Sequence, residues 1–278
     1  MKSASQTINI VKANGKTEAF NSVKLENSLM LAGADTATAE DVADQITREL
    51  TPGMTTAQIY KHAFSLLHSK KNVAATRYSL RRAISDLGPS GFPFEKFVAE
   101  LLKEQGYETL TDQMVLGECV PHEVDIIAWN DKKLIMAEAK FHNEFGLKSD
   151  VKVALYIKAR MDDLKDNKFF YGKERNLDEG WLVTNTKFTE TAIHYGECKG
   201  LTMIGWNYPK VGNLQDMIVN ASLHPITAIQ SLSGSQKSML LTRGIVLCKS
   251  LIADQTILHS LGISESGISE ILVEIDAL

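Results

Sequence analysis

The spacing of apolar residues changes several times along this chain. Residues Thr7 to Lys12 alternate, Asn14-Gly15 interrupts them, and alternation resumes through Phe20, which predicts a hairpin of two short strands. The period then lengthens. Leu25, Leu29, Met30 and Leu31 form one helical stripe, Val42, Ile46 and Leu50 a second, and Ile59, Ala63, Leu66 and Leu67 a third. Thr55 or Thr56, after Gly53, stands where a cap for the third helix is needed. Gly88-Pro89-Ser90-Gly91-Phe92-Pro93 is intolerable in a helix or a central strand and marks a boundary.

Beyond it, Phe97, Val98, Leu101 and Leu102 recur at helical spacing within Phe94 to Gln105, and Gly106 ends that helix. Gln113 to Val120, Val124 to Trp129 and Leu134 to Ala139 have the pattern of strands. A helix over Val151 to Leu164, a strand over Trp181 to Thr184, a helix over Glu190 to Lys199 and a strand over Leu201 to Trp206 follow. This order predicts a mixed sheet with helices on both faces. Pro209 to Asn213 marks a second boundary, and the remainder has helical spacing, with Leu240, Leu241, Ile245, Val246 and Leu251 flanking a turn at Gly244. The expected architecture is α/β, α+β overall, in three segments: residues 1–87, 88–212 and 213–278.

With 278 residues and 44% of them hydrophobic, the chain can bury a core, which excludes a disordered or fibrous protein. No apolar run is long enough to span a membrane and the N-terminus lacks the apolar core of a secretory signal, so a soluble, cytoplasmic protein is expected. Cys119, Cys198 and Cys248 are too few and too scattered for a disulfide framework or paired zinc ligands, and are expected to be buried thiols. The segments carry net charges of +3, -4 and -3. No acid occurs between Thr51 and Ser85, where Lys61, Lys70, Lys71, Arg77, Arg81 and Arg82 suit either a phosphate or a solvated helix face.

The chemistry lies in the acidic middle segment. Asp125 interrupts the apolar strand Val124 to Trp129, and Glu138-Ala139-Lys140 ends the next strand. Glu138 and Lys140 are two apart, so they leave the same face. If the strands pair across Asp131-Lys132, Asp125 can lie beside Glu138. Two neighbouring carboxylates repel unless a cation compensates, and a hard ion such as Mg²⁺ accepts oxygen ligands, polarises a phosphodiester and lowers the pKa of bound water. A lysine beside it can orient that water or stabilise developing charge. Glu95, early in the preceding helix, can add a third oxygen or serve only as a helix-end charge. A cross-strand ion pair on a solvated face is the alternative for Asp125, Glu138 and Lys140.

Phe94 to Tyr107 (FEKFVAELLKEQGY), HEVDIIAW, MAEAKF and WLVTNTKFTETAIHYGECKGLTMIGW together resemble the PD-(D/E)XK nuclease core of Mrr-like restriction endonucleases over roughly residues 92–208. The resemblance implies a Mg²⁺-dependent DNA endonuclease with Asp125 and Glu138 as metal ligands, Lys140 as the catalytic lysine and Glu95 as the helical acid. Where many relatives carry a cationic residue after the lysine, Phe141-His142-Asn143 follows here, and His142 either contacts phosphate or ends the strand. Tyr156 and Arg160 share a helix face and either look into the site or form a structural pair. Glu123, near His122, is either an alternative ligand or a turn-end carboxylate.

Ile10-Val11-Lys12, Asn14-Gly15, Glu18, Phe20, Asn21 and Lys24, then Gly53, Thr56 and Ile59, resemble the ATP-cone, a nucleotide-binding regulatory domain, over residues 5–87. That resemblance implies ATP or dATP as effector, with Lys12, Lys24 and Thr56 near the phosphates and Glu18 and Asn21 holding the nucleotide. Ala13 and Asn14 depart from the family's usual basic residue and aspartate. Leu232-Ser233 through Leu251 faintly resembles a helix-hairpin-helix; the alternative is a packing or oligomerisation module, which the charge of -3 favours. The leading expectation is a nucleotide-responsive DNA endonuclease of restriction, defence or repair, acting as a homodimer or higher oligomer. Its rivals are a DNA-binding regulator on a nuclease-like scaffold and a nucleotide-gated oligomerisation protein.

Overall fold

The computed structural model describes residues 8–12, 15–32, 34–70, 72–144, 146–276 and 278. Thr7, Ala13, Asn14 and Lys71, and the side chains of Lys70 and Arg77, lie outside that description. The chain forms two compact units, Met1–Leu80 and Arg81–Leu278.

In the first unit, β1 (Asn9–Val11) and β2 (Thr17–Ala19) pair antiparallel with Ile10 opposite Glu18. Helix α1 (Ser22–Leu31) starts where the Asn21 side chain accepts the Lys24 N–H at 3.1 Å, and α2 (Thr36–Glu49) where Asp35 accepts the Thr38 N–H at 2.8 Å. Thr55 caps α3 (Thr56–Lys70): its Oγ1 accepts the Gln58 N–H while Gln58 Oε1 accepts the Thr55 N–H, a reciprocal capping box. Leu29, Val42, Ala43, Ile46, Ala63 and Leu67 are buried together at the helical spacings of the sequence. The turn before α3 lies along β1, with the Gly53 N–H donating to Asn9 O and the Val11 N–H to Met54 O, and Gly53 supplies the positive φ of 83° that the turn needs. A fourth helix that the apolar spacing did not announce, α4 (Asn72–Ser85), follows.

The second unit is built on a five-stranded mixed sheet. After α5 (Phe92–Glu104), strands β3 (Glu108–Leu116), β4 (Pro121–Trp129) and β5 (Leu134–Lys140) form an antiparallel meander. Next come β6 (Lys148–Ser149), α6 (Val151–Leu164), β7 (Phe169–Tyr171), β8 (Lys173–Arg175), β9 (Glu179–Thr184), β10 (Lys187–Phe188), α7 (Glu190–Lys199) and β11 (Thr202–Ile204). β9 and β11 join parallel to β5, giving the order β11-β9-β5-β4-β3. Helices α6 and α7 cover Ile127, Leu134, Met136 and Leu182. The alternate residues Ile126, Ala128, Ile135 and Ala137 are equally buried on the opposite side, where α5 packs.

Strand β3 begins at Glu108, five residues before the Gln113 expected, and stops at Leu116. The chain turns at Gly117, whose N–H donates to Val120 O at 2.9 Å, and glycine suits the place because a Cβ there would stand 2.0 Å from Asp163 Oδ2. The two- and three-residue strands β6, β7, β8 and β10 are too short to show a period and owe their form to neighbours. The thiols also differ from expectation: Cys248 is buried, but Cys119 and Cys198 are exposed.

Helix α8 (Leu214–Ala221) packs on α5, and α9 (Gly234–Thr242), α10 (Cys248–Ala253), α11 (Thr256–His259) and α12 (Glu265–Asp276) complete this unit around Leu240, Leu251, Leu258, Ile268 and Ile271. They are tied to the rest of it. Lys249 pairs with Glu104 of α5, Lys96 of α5 lies against Gly244, and Thr227 Oγ1 donates to Ala83 O at 2.5 Å. Among the described residues no helix is long and apolar enough to cross a membrane.

Candidate active site

The ladder between β4 and β5 closes with Ile126 opposite Ala137, so Asp125 and Glu138 are the next residue on each strand. Asp125 turns its Oδ2 onto the Ala139 N–H at 2.8 Å, which fastens the end of β4 to β5. On the other side of β4, Thr111–Ile126 and Gln113–Val124 pair while Asp112 and Asp125, between them, drop out of the ladder. Asp112 has a φ of 57°, a left-handed conformation that Asp tolerates better than most residues. The sequence reading does not single it out, because it lies one residue before the strand-like run Gln113 to Val120 and comes beside β4 only through the observed start of β3 at Glu108.

Glu95 stands in the first turn of α5, one turn after Gly91, and its Oε1 is 3.1 Å from where a Gly91 Cβ would be. Burial first, then the charges of Asp125, Asp112, Glu138 and Glu123, push its pKa up to about 7. Burial and the Glu138 charge push Asp125 to about 6, against the opposing pull of the Ala139 N–H and Arg160. Glu95, Asp125 and Glu138 therefore form one acidic notch, with Asp112 and the exposed Glu123 adding to its field. Lys140 is exposed at the end of β5 and forms no ion pair among the described residues.

Glu138 is largely covered and is met by Arg160 of α6. Arg160 Nη1 donates to Glu138 Oε2 at 2.5 Å and Nη2 to Tyr156 Oη at 2.8 Å. His142 is held inside the structure: its N–H donates to Asn185 Oδ1 at 2.8 Å, Asn185 Nδ2 donates back to His142 O at 2.8 Å, and its ring meets Ser149 Oγ at 2.9 Å. Burial, then the Lys140 charge, lowers its pKa. Thr184, whose hydroxyl donates to Lys140 O at 2.7 Å, is buried beside Ser149, Asn185 and Thr186. These bonds fix the backbone that carries Lys140. His122 turns away to Asp163, 2.7 Å distant, and Asp163 also accepts the Cys119 and Val120 N–H groups.

Among the described residues no three His, Cys, Asp or Glu side chains are arranged to hold an ion by themselves. Asp125 and Glu138, one residue past the last rung on adjacent strands, suit Mg²⁺, which is held by one or two carboxylates and completes its shell with water and substrate oxygen. The donor set fits that ion.

In the first unit, Lys12 Nζ lies 3.1 Å and Lys24 Nζ 3.8 Å from the two oxygens of Glu18. Asn21 uses its Oδ1 for the α1 cap, and Thr56 opens α3 just after Thr55 bridges to Val11. The fold brings the two lysines and Glu18 together beside the hairpin.

The ATP cone domain family matches residues 8–87, the restriction endonuclease family residues 88–207, and the AF1548-like C-terminal family residues 224–278. An uncharacterized protein of Archaeoglobus fulgidus is 33% identical over 178 residues, which are 64% of this chain and 97% of that protein. The crystal structure of a protein of unknown function, AF1548, is 30% identical with a TM-score of 0.56, covering 67% of this chain and 97% of its own. The MspJI restriction endonuclease in complex with a 27-mer oligonucleotide aligns at 14% identity and a TM-score of 0.36, over 75% of this chain and 44% of its own. Full-length coverage of a relative at one residue in three, with three family matches in succession, places the chain: it belongs to the AF1548-like proteins and joins an ATP-cone domain to an Mrr-like restriction-endonuclease domain of PD-(D/E)XK type.

Proposed function

We propose that this protein is a Mg²⁺-dependent DNA endonuclease whose activity responds to ATP or dATP at the N-terminal unit. The observation that carries the reading is the acidic notch in which Asp125 and Glu138 follow directly from the last rung of a ladder and their charges are felt at Glu95; Lys140 ends the same strand two residues after Glu138. A divalent ion there supplies Lewis acidity toward a phosphodiester and a water of lowered pKa. Asp125 and Glu138 hold it. Lys140, free of ion pairs among the described residues, orients the attacking water or balances charge developing on phosphate. Glu95, with a pKa of about 7, can take up or return a proton near neutral pH. The ATP-cone match, with Lys12 and Lys24 converging on Glu18, supports nucleotide binding, in which the lysines exchange Glu18 for phosphate while Asn21 and Thr56 lie beside the bound ligand. One such centre per chain cuts both strands of a duplex most simply as a homodimer.

Incubating the full chain with duplex DNA, with Mg²⁺ or with EDTA, tests this. Strand breaks that require Mg²⁺ and disappear in Asp125→Ala, Glu138→Ala and Lys140→Ala are expected. DNA retention without breaks in any divalent metal would instead make the chain a DNA-binding regulator on a nuclease scaffold.

A further inference from the structure

The guanidinium of Arg160 is 8% exposed, and α6 holds it firmly: Asp150 caps the helix by accepting the Lys152 and Val153 N–H groups, and Ile157 and Met161 are buried on either side of it. Arginine usually grips a carboxylate with two parallel hydrogen bonds, one to each oxygen. Here it does not. Nη1 takes Oε2 of Glu138, Nη2 is diverted to the Tyr156 hydroxyl, and Nε is buried without an acceptor among the described residues. The Tyr156 ring lies 4.9 Å from the guanidinium carbon and adds a second reason for that tilt. Glu138 Oε1 consequently accepts no hydrogen bond from a described residue, while Oε2 is occupied.

We infer that Arg160 is a positioning residue acting through Glu138: by holding Oε2 it leaves Oε1 as the single oxygen offered to a divalent cation, and so biases the centre toward Mg²⁺ over Ca²⁺. This rests on the metal-dependent reading above. Mg²⁺ binds carboxylates through single oxygens in a tight octahedron, whereas Ca²⁺ accepts two oxygens of one carboxylate in a larger shell. Freeing Oε2 removes the restriction. Tyr156 has a separate part, since it keeps Nη2 from closing the second bond and taking Oε1 as well.

The test is calorimetric titration of the EDTA-stripped full chain with MgCl₂ and with CaCl₂, so it needs no substrate or cleavage. Arg160→Met is expected to lower the Mg²⁺-to-Ca²⁺ affinity ratio by roughly tenfold or more, the usual size of effects from groups behind a metal ligand. Arg160→Lys, which can still hold one oxygen, should keep most of the ratio. Tyr156→Phe should weaken both ions together. An unchanged ratio in an Arg160→Met protein that unfolds cooperatively overturns the inference. If that variant does not fold, unaltered affinities in Tyr156→Phe do the same. Wild-type protein that binds neither ion removes the metal-dependent reading and this inference with it, whereas Mg²⁺ binding with an unmoved ratio removes this inference alone.

Discussion

Glu95→Gln replaces a carboxylate by a neutral group of the same shape, in a place where the charge is opposed on every side. The Glu95 pKa rises from 4.5 to about 7 in the folded protein, so folding takes up a proton between those values. A raised carboxylate lowers stability as pH climbs from the unfolded value to the folded one, and the penalty stays constant above. At about 1.4 kcal/mol for each tenfold change in proton affinity, the full effect would be about 3.5 kcal/mol. Glu95 is only partly buried, and solvent screening reduces that to about 2 kcal/mol. Urea unfolding in EDTA should therefore find Glu95→Gln more stable than wild type by about 2 kcal/mol at pH 8, and indistinguishable from it at about pH 4, where both side chains are neutral. Equal stability at pH 8, or a gain of the same size at both pH values, would refute the account of a self-repelling notch.

Other consequences are as open to measurement. Asp125→Asn should unfold at a higher temperature than wild type in EDTA, because it also relieves repulsion, yet lose the stabilisation that Mg²⁺ gives wild type; thermal scans with and without the ion show both. Hydrogen bonds to His122, then to Cys119 and Val120, hold the Asp163 carboxyl down at about 2, so its contribution is full above the ordinary carboxylate range and fades as pH falls toward that value. Asp163→Asn should accordingly lower the unfolding temperature at pH 7 and match wild type near pH 2. Asn185→Ala removes two hydrogen bonds to the His142 backbone and should cost about 2 kcal/mol in urea unfolding. Lys12→Ala and Lys24→Ala should each weaken ATP binding measured by calorimetry, with DNA cleavage in the absence of nucleotide unchanged.

The strands of the central sheet are legible in the sequence because they are apolar enough to announce themselves. Val124 to Trp129 and Leu134 to Ala139 could pair only across a short turn, and counting back from that turn brought Asp125 to Glu138. Helix α6 was predicted over Val151 to Leu164 and occupies those residues, because Asp150 caps it and its apolar spacing is regular. What escaped depends on contacts distant in the chain. Asp112 joins the notch through the register of β3, whose start the alternating polar residues Glu108 to Thr111 concealed. Arg160 could be paired with Tyr156 by spacing alone, but its bond to Glu138 requires knowing how α6 crosses the sheet. The exposed Cys119 is likewise invisible, since the turn that displays it is held by a residue distant in the chain, Asp163, which accepts the Cys119 and Val120 N–H groups.

Helix α5 presents Glu95 from one side and is gripped on another by the chain's last helices, through Lys249 on Glu104 and Lys96 against Gly244. The helix that carries the most strongly perturbed acid is therefore also the seat of the C-terminal helices, so the packing of residues 244–249 and the placement of Glu95 depend on one and the same element.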